Sequence, residues 1–368
     1  MLVLLVLFGL SSISPVSAQD APQYTIKDLI KAHDVEHEAN GLGGYTITGD
    51  GVVVGFTGQS AIKSSPFVTV DGKPERLKTN GKYGATAADI NSAGVVVGRE
   101  RTDQIENGFF VGFPAMWVDG ELSRLELPLD ALGQAAINGA ARSINDAGLI
   151  AGYLQYPGDQ IQHVVVWNNG VGTLLPYAFD YPYCDAYGLS EAGLIAGQCY
   201  DSTSGGFVPV IWQGGGVTPV FGAPSPFTEM WGITDTASGG YVAVGFSYAT
   251  NQDVLTEKSA TVITDGVAAA LPAVTGASFC QAMSVSETAD GILIGGTCET
   301  TVTNDDGLFT DSVAVAWLDG ELIDLSQAIP QDKGWKLFMI RGVNSEGQMV
   351  GIGEKEGERR SFILTPVN

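Results

Sequence analysis

The chain is built on one repeated phrase, in which a short apolar segment ends at a polar turn and a second apolar segment follows. In its clearest copy, residues 90–98, Ile-Asn leads into the turn and Gly-Val-Val-Val-Gly follows it. Two apolar runs joined by a turn that contains Gly predict a β-hairpin. Seven copies are recognised by a Gly-x-x-x-Gly segment, at residues 51–55, 94–98, 148–152, 193–197, 240–245 (one residue longer), 291–295 and 347–351.

Each hairpin continues into a longer unit of constant order. A third apolar run follows, which ends in Trp117, Trp167, Trp212 or Trp317 in four of the copies, and these recurring Trp residues are predicted core. A tight turn and a fourth run come next. The turns are Asp71-Gly72, Asp119-Gly120, Asn169-Gly170, Gln213-Gly214, Asp265-Gly266 and Asp319-Gly320. Asp-Gly and Asn-Gly favour the type I′ and II′ turns of hairpins. A four-stranded meander of about 45–50 residues is the length of one β-propeller blade.

The two ends of the chain predict closure of the ring. Residues 361–366 supply a third strand to the last unit, and no fourth strand follows. Residues 24–29 precede the first hairpin and read like the fourth strand at residues 321–325. An N-terminal strand that completes the last blade would leave no broad sheet edge unpaired. We therefore predict an all-β, seven-bladed propeller as a single domain over residues 19–368; an open stack or two packed sheets is the alternative.

The first residues and the overall charge predict an exported protein. Residues 1–18 are apolar and end in Val16-Ser17-Ala18, as in a signal peptide that is removed, although no Lys or Arg precedes the apolar run. The chain carries 41 acidic and 18 basic residues, a net charge of −23. Such a charge repels nucleic acid and anionic lipid. We expect a monomeric, secreted or periplasmic protein with no membrane span and no nucleic-acid partner.

Four cysteines allow three disulfide pairings, and the hairpin register selects one of them. If Leu189 faces Leu194 across the turn of the fourth unit, Cys184 lies opposite Cys199. Directly opposed residues of an antiparallel pair are close enough for a disulfide. The second pair, Cys280 and Cys298, is one residue out of register. We therefore expect a β-bulge near the turn at residues 288–290.

Several of these motifs together resemble a known family. Tyr-x-x-x-Asp-Leu at residues 24–29, Leu42-Gly43-Gly44, Ile-Asn-x-x-Gly-x-Val-x-Gly and an apolar-Trp-x-x-Gly strand are similar to the HAF family of extracellular repeat proteins. The similarity covers residues 23–366, but other residues stand where the His-Ala-Phe signature is expected, so the chain resembles a divergent member. The resemblance implies secretion and a repeated β fold. It implies no defined reaction and no catalytic residues.

The candidate ligand-binding residues lie on the long, variable connections, which emerge together on one face of the predicted propeller. Loops held by a rigid frame often carry function, and aromatic side chains are common at binding surfaces. The candidates are Tyr177, Phe179, Tyr181, Tyr183, Phe227, Glu229, Trp231, Trp335 and Arg341. Local packing over the blade ends is the other interpretation of these aromatic residues.

The sequence favours a secreted or cell-surface binding protein that holds a carbohydrate or a protein on this long-loop face. A carbohydrate-active enzyme, either a polysaccharide lyase or a glycoside hydrolase, is the alternative, and a scaffold component of the cell envelope is a third reading. Candidates for a site at the channel mouth are Glu229, Tyr187, Arg142, Lys336 and Arg341. Two carboxylates in one deep central pocket would favour the enzyme, but the sequence shows no catalytic motif.

The sequence predicts no cofactor. The alternative is a calcium ion held by oxygen ligands of the acidic loop that contains Asp305, Asp306 and Asp311. These residues lack the full spacing of a known calcium loop. A solvated turn is the competing interpretation.

Overall fold

A computed structural model describes residues 24–31, 42–60, 63–80, 84–106, 109–158, 161–225, 227–251, 254–304, 307–330 and 333–367. The strands are β1 (Tyr24–Lys31), β2 (Leu42–Ile47), β3 (Val53–Ser60), β4 (Lys63–Val70), β5 (Lys73–Arg76), β6 (Ala85–Ile90), β7 (Val96–Glu106), β8 (Phe109–Val118), β9 (Glu121–Arg124), β10 (Asn138–Ile144), β11 (Ile150–Gln155), β12 (His163–Asn168), β13 (Val171–Leu174), β14 (Cys184–Leu189), β15 (Ile195–Asp201), β16 (Gly206–Gln213), β17 (Gly216–Pro219), β18 (Phe227–Asp235), β19 (Tyr241–Asn251), β20 (Val254–Thr264), β21 (Val267–Ala270), β22 (Ala277–Thr288), β23 (Gly291–Asn304), β24 (Gly307–Leu318), β25 (Glu321–Asp324), β26 (Trp335–Val343), β27 (Met349–Lys355) and β28 (Glu358–Pro366). A single-turn helix, α1 (Leu325–Ala328), follows β25.

These strands form seven four-stranded antiparallel sheets, which are the blades of a β-propeller. Blade 1 is β2–β5, blade 2 is β6–β9, blade 3 is β10–β13, blade 4 is β14–β17, blade 5 is β18–β21 and blade 6 is β22–β25. Blade 7 combines β26, β27 and β28 with β1 from the other end of the chain. The predicted fold class is therefore confirmed.

The N-terminal strand closes the ring as the sequence predicts. β1 runs antiparallel to β28, with Ile26 opposite Leu364 and Asp28 opposite Phe362. The Arg360 guanidinium, which is buried, forms an ion pair with Asp28 across this seam. Because the pairing joins the two ends of the chain, blade 7 has the same four strands as the others, and β1 covers the outer edge of β28.

The hairpin turns have the predicted primed geometry. The first turn residue is Asp or Asn with φ of 48–51° at five positions, and the Gly after it also has positive φ. These five first residues are Asp71, Asp119, Asn169, Asp265 and Asp319. Positive φ at both central residues defines a type I′ turn. In blade 4 the turn is Gly214-Gly215, one residue later than predicted, because Gln213 still pairs with Gly216.

The Trp residues of the third strands lock neighbouring blades together. Trp117, Trp167, Trp212 and Trp317 are each at most 1% exposed. Each indole N–H donates to a carbonyl in the segment that arrives from the preceding blade, for example Trp167 Nε1 to Glu126 O at 2.6 Å. The buried ring supplies apolar area and the N–H finds its acceptor, as a buried indole requires. The prediction that these four Trp residues form interblade core is confirmed.

The Asn of the repeated Ile-Asn phrase also links blades. Asn145 Oδ1 accepts from Leu149 N at 2.9 Å and so caps its own turn, while Asn145 Nδ2 donates to Ser190 O of the next blade at 3.1 Å. Asn91 and Asn344 form the same two kinds of hydrogen bond, and Asn344 bonds Thr48 O of blade 1. One side chain therefore satisfies a turn and a blade contact at once.

Both predicted disulfides are present, but the register that joins them differs from the prediction. Cys184 is bonded to Cys199, and Cys280 to Cys298. Leu189 pairs with Ile195 rather than with Leu194, and a bulge before Gly188 brings the cysteines back into opposition. In blade 6 the corresponding bulge lies between Ala282 and Ser284, not near residues 288–290. The hairpin turn there is tight, so the inner strand absorbs the extra residue.

The connection between the second and third strands of a blade also differs from the prediction. The sequence predicts long, variable connections, but in several blades the second and third strands extend into long hairpins. The pairing of β23 with β24 continues from Leu293 opposite Leu318 to Asn304 opposite Gly307. The Thr and Val residues of this segment suit a pleated strand. None of the helices in the described part of the chain is long and apolar enough to cross a membrane.

Candidate functional site

Every blade has a β-bulge at the same place in its innermost strand. The extra residue always lies two positions before the repeated Ile, Leu or Val that precedes the turn. The seven bulge residues are Tyr45, Ala88, Arg142, Tyr187, Trp231, Met283 and Arg341. A bulge changes the direction of a side chain relative to the regular pleat and is often found at functional sites. We call these seven positions the bulge ring.

The last Gly of the repeated segment makes room for the bulge. A Cβ added to Gly152 would collide with the carbonyl oxygen of Ala140, two residues before the bulged Arg142. Gly98 and Gly245 meet the carbonyls of Thr86 and Glu229 in the same way. A strand Gly often marks a bulge or a close backbone approach. The repeated Gly is therefore the sequence counterpart of the bulge ring.

A cavity of about 520 Å³ lies along the inner strands, and six bulge residues line it. The six are Ala88, Arg142, Tyr187, Trp231, Met283 and Arg341. Its wall continues through Asp89 and Ser143 to apolar side chains such as Ile233 and Val343. Volumes of this size fit a small organic ligand. The site is therefore part apolar, with polar groups at a few fixed points.

Arg142 is held rigidly in this wall. Its guanidinium lies 3.9 Å from the ring centroid of Tyr187 and 4.8 Å from that of Tyr153, and Arg142 Nη2 donates to Gln162 Oε1 at 3.2 Å. Burial alone would lower the pKa of Arg142, but Tyr187, Tyr153 and Asp185 outweigh it, so the net shift is upward and the group stays cationic. Two aromatic faces fix the guanidinium plane and leave its N–H edge to form hydrogen bonds.

Two carboxylates stand behind the aromatic residues of blades 4 and 5. Asp185 and Glu229 each lie two residues before a bulge residue, one step nearer the long-loop face. Burial raises the pKa of both groups, and for Glu229 the charge of Asp185 adds to the effect. Asp185 Oδ1 is buried, with no hydrogen-bond partner in the described structure, and lies 3.8 Å from Arg142 Nη2.

Neither carboxylate lines the cavity itself. The carboxylate that does so, Asp89, is used internally: it accepts from Ser143 Oγ at 2.7 Å, from Ile144 N at 2.9 Å and from Ile90 N at 2.9 Å. The cavity wall therefore holds one carboxylate, that of Asp89, and not the two that would favour an enzyme. Asp185 and Glu229 are neighbours of the wall, not parts of it.

Trp231 connects the cavity to an aromatic cluster in blades 5 and 6. Its ring lies 6.4 Å from Tyr187 and 5.6 Å, edge to face, from Phe246. Phe227, Tyr248 and Phe279 complete the cluster. Trp231 Nε1 is buried and approaches Glu229 without completing good hydrogen-bond geometry. The cluster positions the indole, one face of which belongs to the cavity.

The predicted ligand residues of blade 4 lie outside the cavity. Tyr177 and Phe179 pack against the core between blades 3 and 4, and the Tyr177 hydroxyl bonds His163 Nδ1. Tyr181 is 45% exposed and contacts Tyr200 edge to face. Tyr183 packs on Phe207, and burial, followed by the charge of Asp185, raises its pKa to about 12. These four residues make local packing contacts, and none of them lines the cavity.

The remaining predicted residues divide in the same way. Phe227 packs on Tyr248 at 5.5 Å in the aromatic cluster, while Arg341 lines the cavity and donates from Nε to Met339 Sδ at 3.2 Å. Trp335 packs on Phe362 inside blade 7, away from the cavity. Of the channel-mouth candidates, Arg142, Tyr187 and Arg341 line the cavity and Glu229 lies behind it.

Lys336 contacts Asp311, one of the predicted calcium ligands, outside the cavity. Lys336 Nζ forms an ion pair with Asp311 at 2.9 Å, and its side chain is 54% exposed. Asp305 and Asp306 lie outside the described residues. Within the described ranges no group of three or more His, Cys, Asp or Glu side chains is placed to hold a metal ion.

Sequence reasoning missed Met283, Tyr153 and Asp185. Met283 could have been found by aligning the seven copies on their repeated apolar residue, because it occupies the bulge position of its copy. Tyr153 lies in β11, the second strand of blade 3, and its ring packs against the guanidinium of Arg142. Asp185 stands next to Cys184, and nothing in its neighbourhood along the chain indicates a role. The roles of Tyr153 and Asp185 depend on their contacts with Arg142, which lies in another strand.

These observations define the class of the protein: a seven-bladed β-propeller with a cavity of aromatic and arginine side chains in its channel. No model of a known protein family matches the chain, and no curated protein matches it in sequence.

Similarity to solved structures is at the level of the fold. One is YCF48 bound to D1 peptide, with 12% identity, 95% of this chain and 96% of that chain covered, and a TM-score of 0.49. A Trypanosoma rangeli sialidase in complex with sialic acid has 9% identity, 94% and 59% coverage and a TM-score of 0.44. A gluconolactonase from Xanthomonas campestris has 13% identity, 76% and 89% coverage and a TM-score of 0.42. At this distance they carry no information about the ligand.

Proposed function

We propose that this protein is an exported binding protein that holds a carbohydrate in the cavity of its channel. The observation that carries the proposal is the position of Trp231 and Tyr187. Both are bulge residues, both line the same cavity, and their rings lie 6.4 Å apart next to the guanidinium of Arg142. Flat aromatic faces pack against the C–H face of a sugar ring, while fixed donors bond its hydroxyl groups.

The rigidity of this wall supports binding. Arg142 is fixed between two aromatic rings, Trp231 is fixed by Phe246, and the inner strands of blades 4 and 6 are joined to their neighbours by disulfides at Cys184 and Cys280. Residues that are ordered before the ligand arrives lose little conformational entropy on binding. The cavity walls therefore have the preorganisation that a binding site needs.

A screen for sugars tests the proposal. The purified protein would be applied to a glycan array, and each positive sugar would be titrated by calorimetry against wild type and two variants. Trp231→Ala removes the cavity indole, and Tyr181→Ala is the matched control, because Tyr181 is exposed on the rim of blade 4. We expect Trp231→Ala to weaken binding roughly tenfold or more, the loss of about 1.4 kcal/mol, and Tyr181→Ala to leave it unchanged.

Two results would contradict this proposal. Binding that survives Trp231→Ala but is lost in Tyr181→Ala would move the site to the rim of blade 4. An array with no positive sugar would remove the carbohydrate assignment. Thermal unfolding of each variant would show whether any loss comes from the fold.

Export is part of the same proposal. Disulfides persist in oxidising compartments, and this chain has two of them, each between the two inner strands of a blade. The predicted signal peptide at residues 1–18 and the resemblance of the sequence to the HAF family support export, and residues 1–18 lie outside the described structure. Fractionation of the source cells, with detection of the mature N-terminus, would test it. A protein recovered from the cytoplasm with residues 1–18 intact would contradict it.

A carbohydrate-active enzyme is the second candidate. The observation in its favour is the pair of Asp185 and Glu229, whose pKa values are both raised and which stand in adjacent blades. A carboxyl group with a raised pKa can serve as a general acid at a glycosidic bond. Incubation with polysaccharides and assay for new reducing ends, in wild type and Glu229→Gln, tests this candidate. Release of reducing ends that Glu229→Gln abolishes would favour the enzyme over the binder.

A further inference from the structure

The cavity changes from polar to apolar along the channel. In every blade the second residue after the bulge position is aliphatic and 4–8% exposed; these residues are Ile47, Ile90, Ile144, Leu189, Ile233, Val285 and Val343. The last four of them, Leu189, Ile233, Val285 and Val343, line the cavity, and we call these four the aliphatic floor. A strand rises about 3.3 Å per residue, so the aliphatic floor lies roughly 7 Å from the bulge ring, on the side of the short turns. The two layers therefore contact different parts of one ligand.

The polar side chains between the bulge ring and the aliphatic floor join neighbouring blades. Ser143 Oγ donates to Asp89 Oδ2 at 2.7 Å, which links blades 3 and 2. Ser284 Oγ accepts from Val343 N at 3.1 Å, which links blades 6 and 7, and Thr46 Oγ1 donates to a carbonyl of blade 2 at 3.2 Å. These groups hold the ring together, so this part of the wall presents mainly aliphatic surface to a ligand.

The aliphatic floor is rigid, because its side chains also pack in the cores between blades. Leu189 belongs to the core between blades 3 and 4, and Val343 to the core between blades 6 and 7. Met283, which also lines the cavity, is 9% exposed, and its unbranched thioether can follow ligands of different shape. An apolar group bound here would meet a fixed floor and one adaptable side chain.

A group rich in hydroxyls does not suit this end of the cavity. A sugar hydroxyl moved there from water would lose hydrogen bonds to water, and burial of a polar group without a partner costs free energy. An aliphatic group placed there gains free energy with each methylene removed from water. The whole cavity measures about 520 Å³, within the range of cavities that bury drug-sized ligands. Its two ends therefore favour two chemically different parts of one molecule.

We infer that the ligand of this cavity is an amphiphilic glycoside, whose sugar ring packs on Tyr187 and Trp231 while an aliphatic chain attached to the sugar lies on the aliphatic floor. The inference rests on the proposed function and adds the apolar half of the ligand to it. The aromatic side chains of the bulge ring select the sugar, and the aliphatic floor selects the chain. A free sugar would leave the aliphatic floor in contact with water.

A series of glycosides with increasing chain length tests the inference on the wild-type protein. Methyl, butyl and hexyl glycosides of glucose, galactose and mannose would be titrated by calorimetry, below the concentrations at which they form micelles. For at least one sugar we expect the affinity to rise roughly twofold to fourfold per methylene group until the aliphatic floor is covered. The heat-capacity change of binding should become more negative along the series, because more apolar surface is buried. 1-Hexanol should bind at least roughly tenfold more weakly than the hexyl glycoside, because it lacks the ring that packs on Tyr187 and Trp231.

Variants locate the chain within the cavity. Val285→Thr and Val343→Thr each add a hydroxyl group to the aliphatic floor while nearly keeping the shape of the side chain. Each should reduce the preference for the hexyl over the methyl glycoside roughly threefold or more and leave the affinity for the methyl glycoside unchanged. Val315→Thr is the matched control, because Val315 packs in the same core of blade 6 as Val285 but does not line the cavity. Thermal unfolding of each variant would establish that it is folded, and the chain-length series in wild type needs no variant.

Different failures remain distinguishable. Equal binding of the methyl, butyl and hexyl glycosides would overturn this inference and leave a carbohydrate site in place. A loss of the hexyl preference in Val315→Thr as large as in Val285→Thr would mean that the chain does not lie on the aliphatic floor, and would overturn the inference too. Binding of 1-hexanol as tight as that of the hexyl glycosides would overturn the amphiphile, because the sugar would contribute nothing. Failure of every glycoside and free sugar to bind would count against the proposed function itself.

Discussion

Two positions of the inner strands, three residues apart, follow different rules. In five blades the position at the short turn holds Thr48, Asn91, Asn145, Ser190 or Asn344, which are all small and polar, whereas in the longer hairpins of blades 5 and 6 Thr236 and Thr288 bond the turn. The bulge position holds Tyr45, Ala88, Arg142, Tyr187, Trp231, Met283 and Arg341, which share no property. Residues at the turn position bond the backbone of their own turn and, in several blades, the backbone of the next blade. Six residues at the bulge position line the cavity. The constant position holds the ring together, and the variable one is free to specify a ligand.

The largest expected effect comes from breaking the constant framework at a buried Trp. Trp317 is fully buried and its Nε1 donates to Pro272 O at 2.8 Å. Replacing it by Ala removes a large apolar side chain and leaves a cavity, so Trp317→Ala should lower the free energy of unfolding by about 3–5 kcal/mol. Urea denaturation measures the loss. Trp231→Ala, a half-buried bulge residue, should lose clearly less; equal losses would contradict the division between framework and bulge ring.

The disulfide in blade 4 is the next test. Cys184 and Cys199 are 15 residues apart and clamp the inner strand three residues before the bulged Tyr187. The double variant Cys184→Ser with Cys199→Ser should lower stability by about 3 kcal/mol, the chain-entropy value for a loop of this length. Thermal and urea unfolding of the variant beside the wild type measure it. An unchanged midpoint, with the wild-type bond verified by mass spectrometry, would contradict the structural role.

Removal of a turn Asn should have a smaller effect. Asn145 is 2% exposed, accepts from Leu149 N and donates to Ser190 O. Asn145→Ala leaves Leu149 N without its acceptor and removes the hydrogen bond between blades to Ser190 O, which still accepts from Gly193 N, so we expect a loss of about 1–3 kcal/mol. Asn145→Asp is the comparison, because it keeps the acceptor for Leu149 and loses the donor for Ser190. A smaller loss for the Asp variant would separate the turn from the blade contact, and no loss in either would refute the bridging role.

The smallest expected effect is a pH dependence of stability that comes from Glu229, one of the carboxylates behind the cavity. The pKa of Glu229 is raised by burial and then by the charge of Asp185, so the folded state binds the proton more tightly than the unfolded chain does. Stability from this group is present below the unfolded pKa and is lost as pH rises through the folded pKa. Glu229→Gln should therefore raise the melting temperature slightly at neutral pH, and the difference should vanish in acid. A difference that grows as pH falls would contradict the sign.

The sequence predicts the framework well because the framework is repeated. Seven copies of one hairpin, with Asp-Gly turns and a Trp in the third strand, indicate the blades, and the match of residues 24–29 with residues 321–325 indicates the closing strand. Each of these signals is local: it depends on residues a few positions apart. The disulfide pairs follow from the same hairpins, although the bulge predicted in blade 6 lies at a different place and the bulge in blade 4 was not predicted.

The candidate site is harder to predict because it depends on contacts between side chains of different blades. Arg142, Tyr187 and Trp231 belong to three successive blades, and the contact between Arg142 and Tyr187 joins residues that are far apart in the chain. The bulge that turns these side chains into the channel has one sequence marker, a Gly that is the second Gly of the segment in five copies and Gly296 in blade 6, and its role is visible only beside the facing carbonyl. Tyr181 and Trp335 are as aromatic as Trp231, yet they pack elsewhere.

Hydroxyl-radical footprinting, read by mass spectrometry with and without a bound sugar, tests the central claim most directly. It reports the exposure of each side chain in the unmodified protein and needs no substitution. If the ligand occupies the channel, the protected residues will be Tyr187, Trp231 and Met283, while Tyr181 and Trp335 react as before. Protection of Tyr181 or Trp335, with Trp231 unchanged, would contradict a ligand site at the bulge ring.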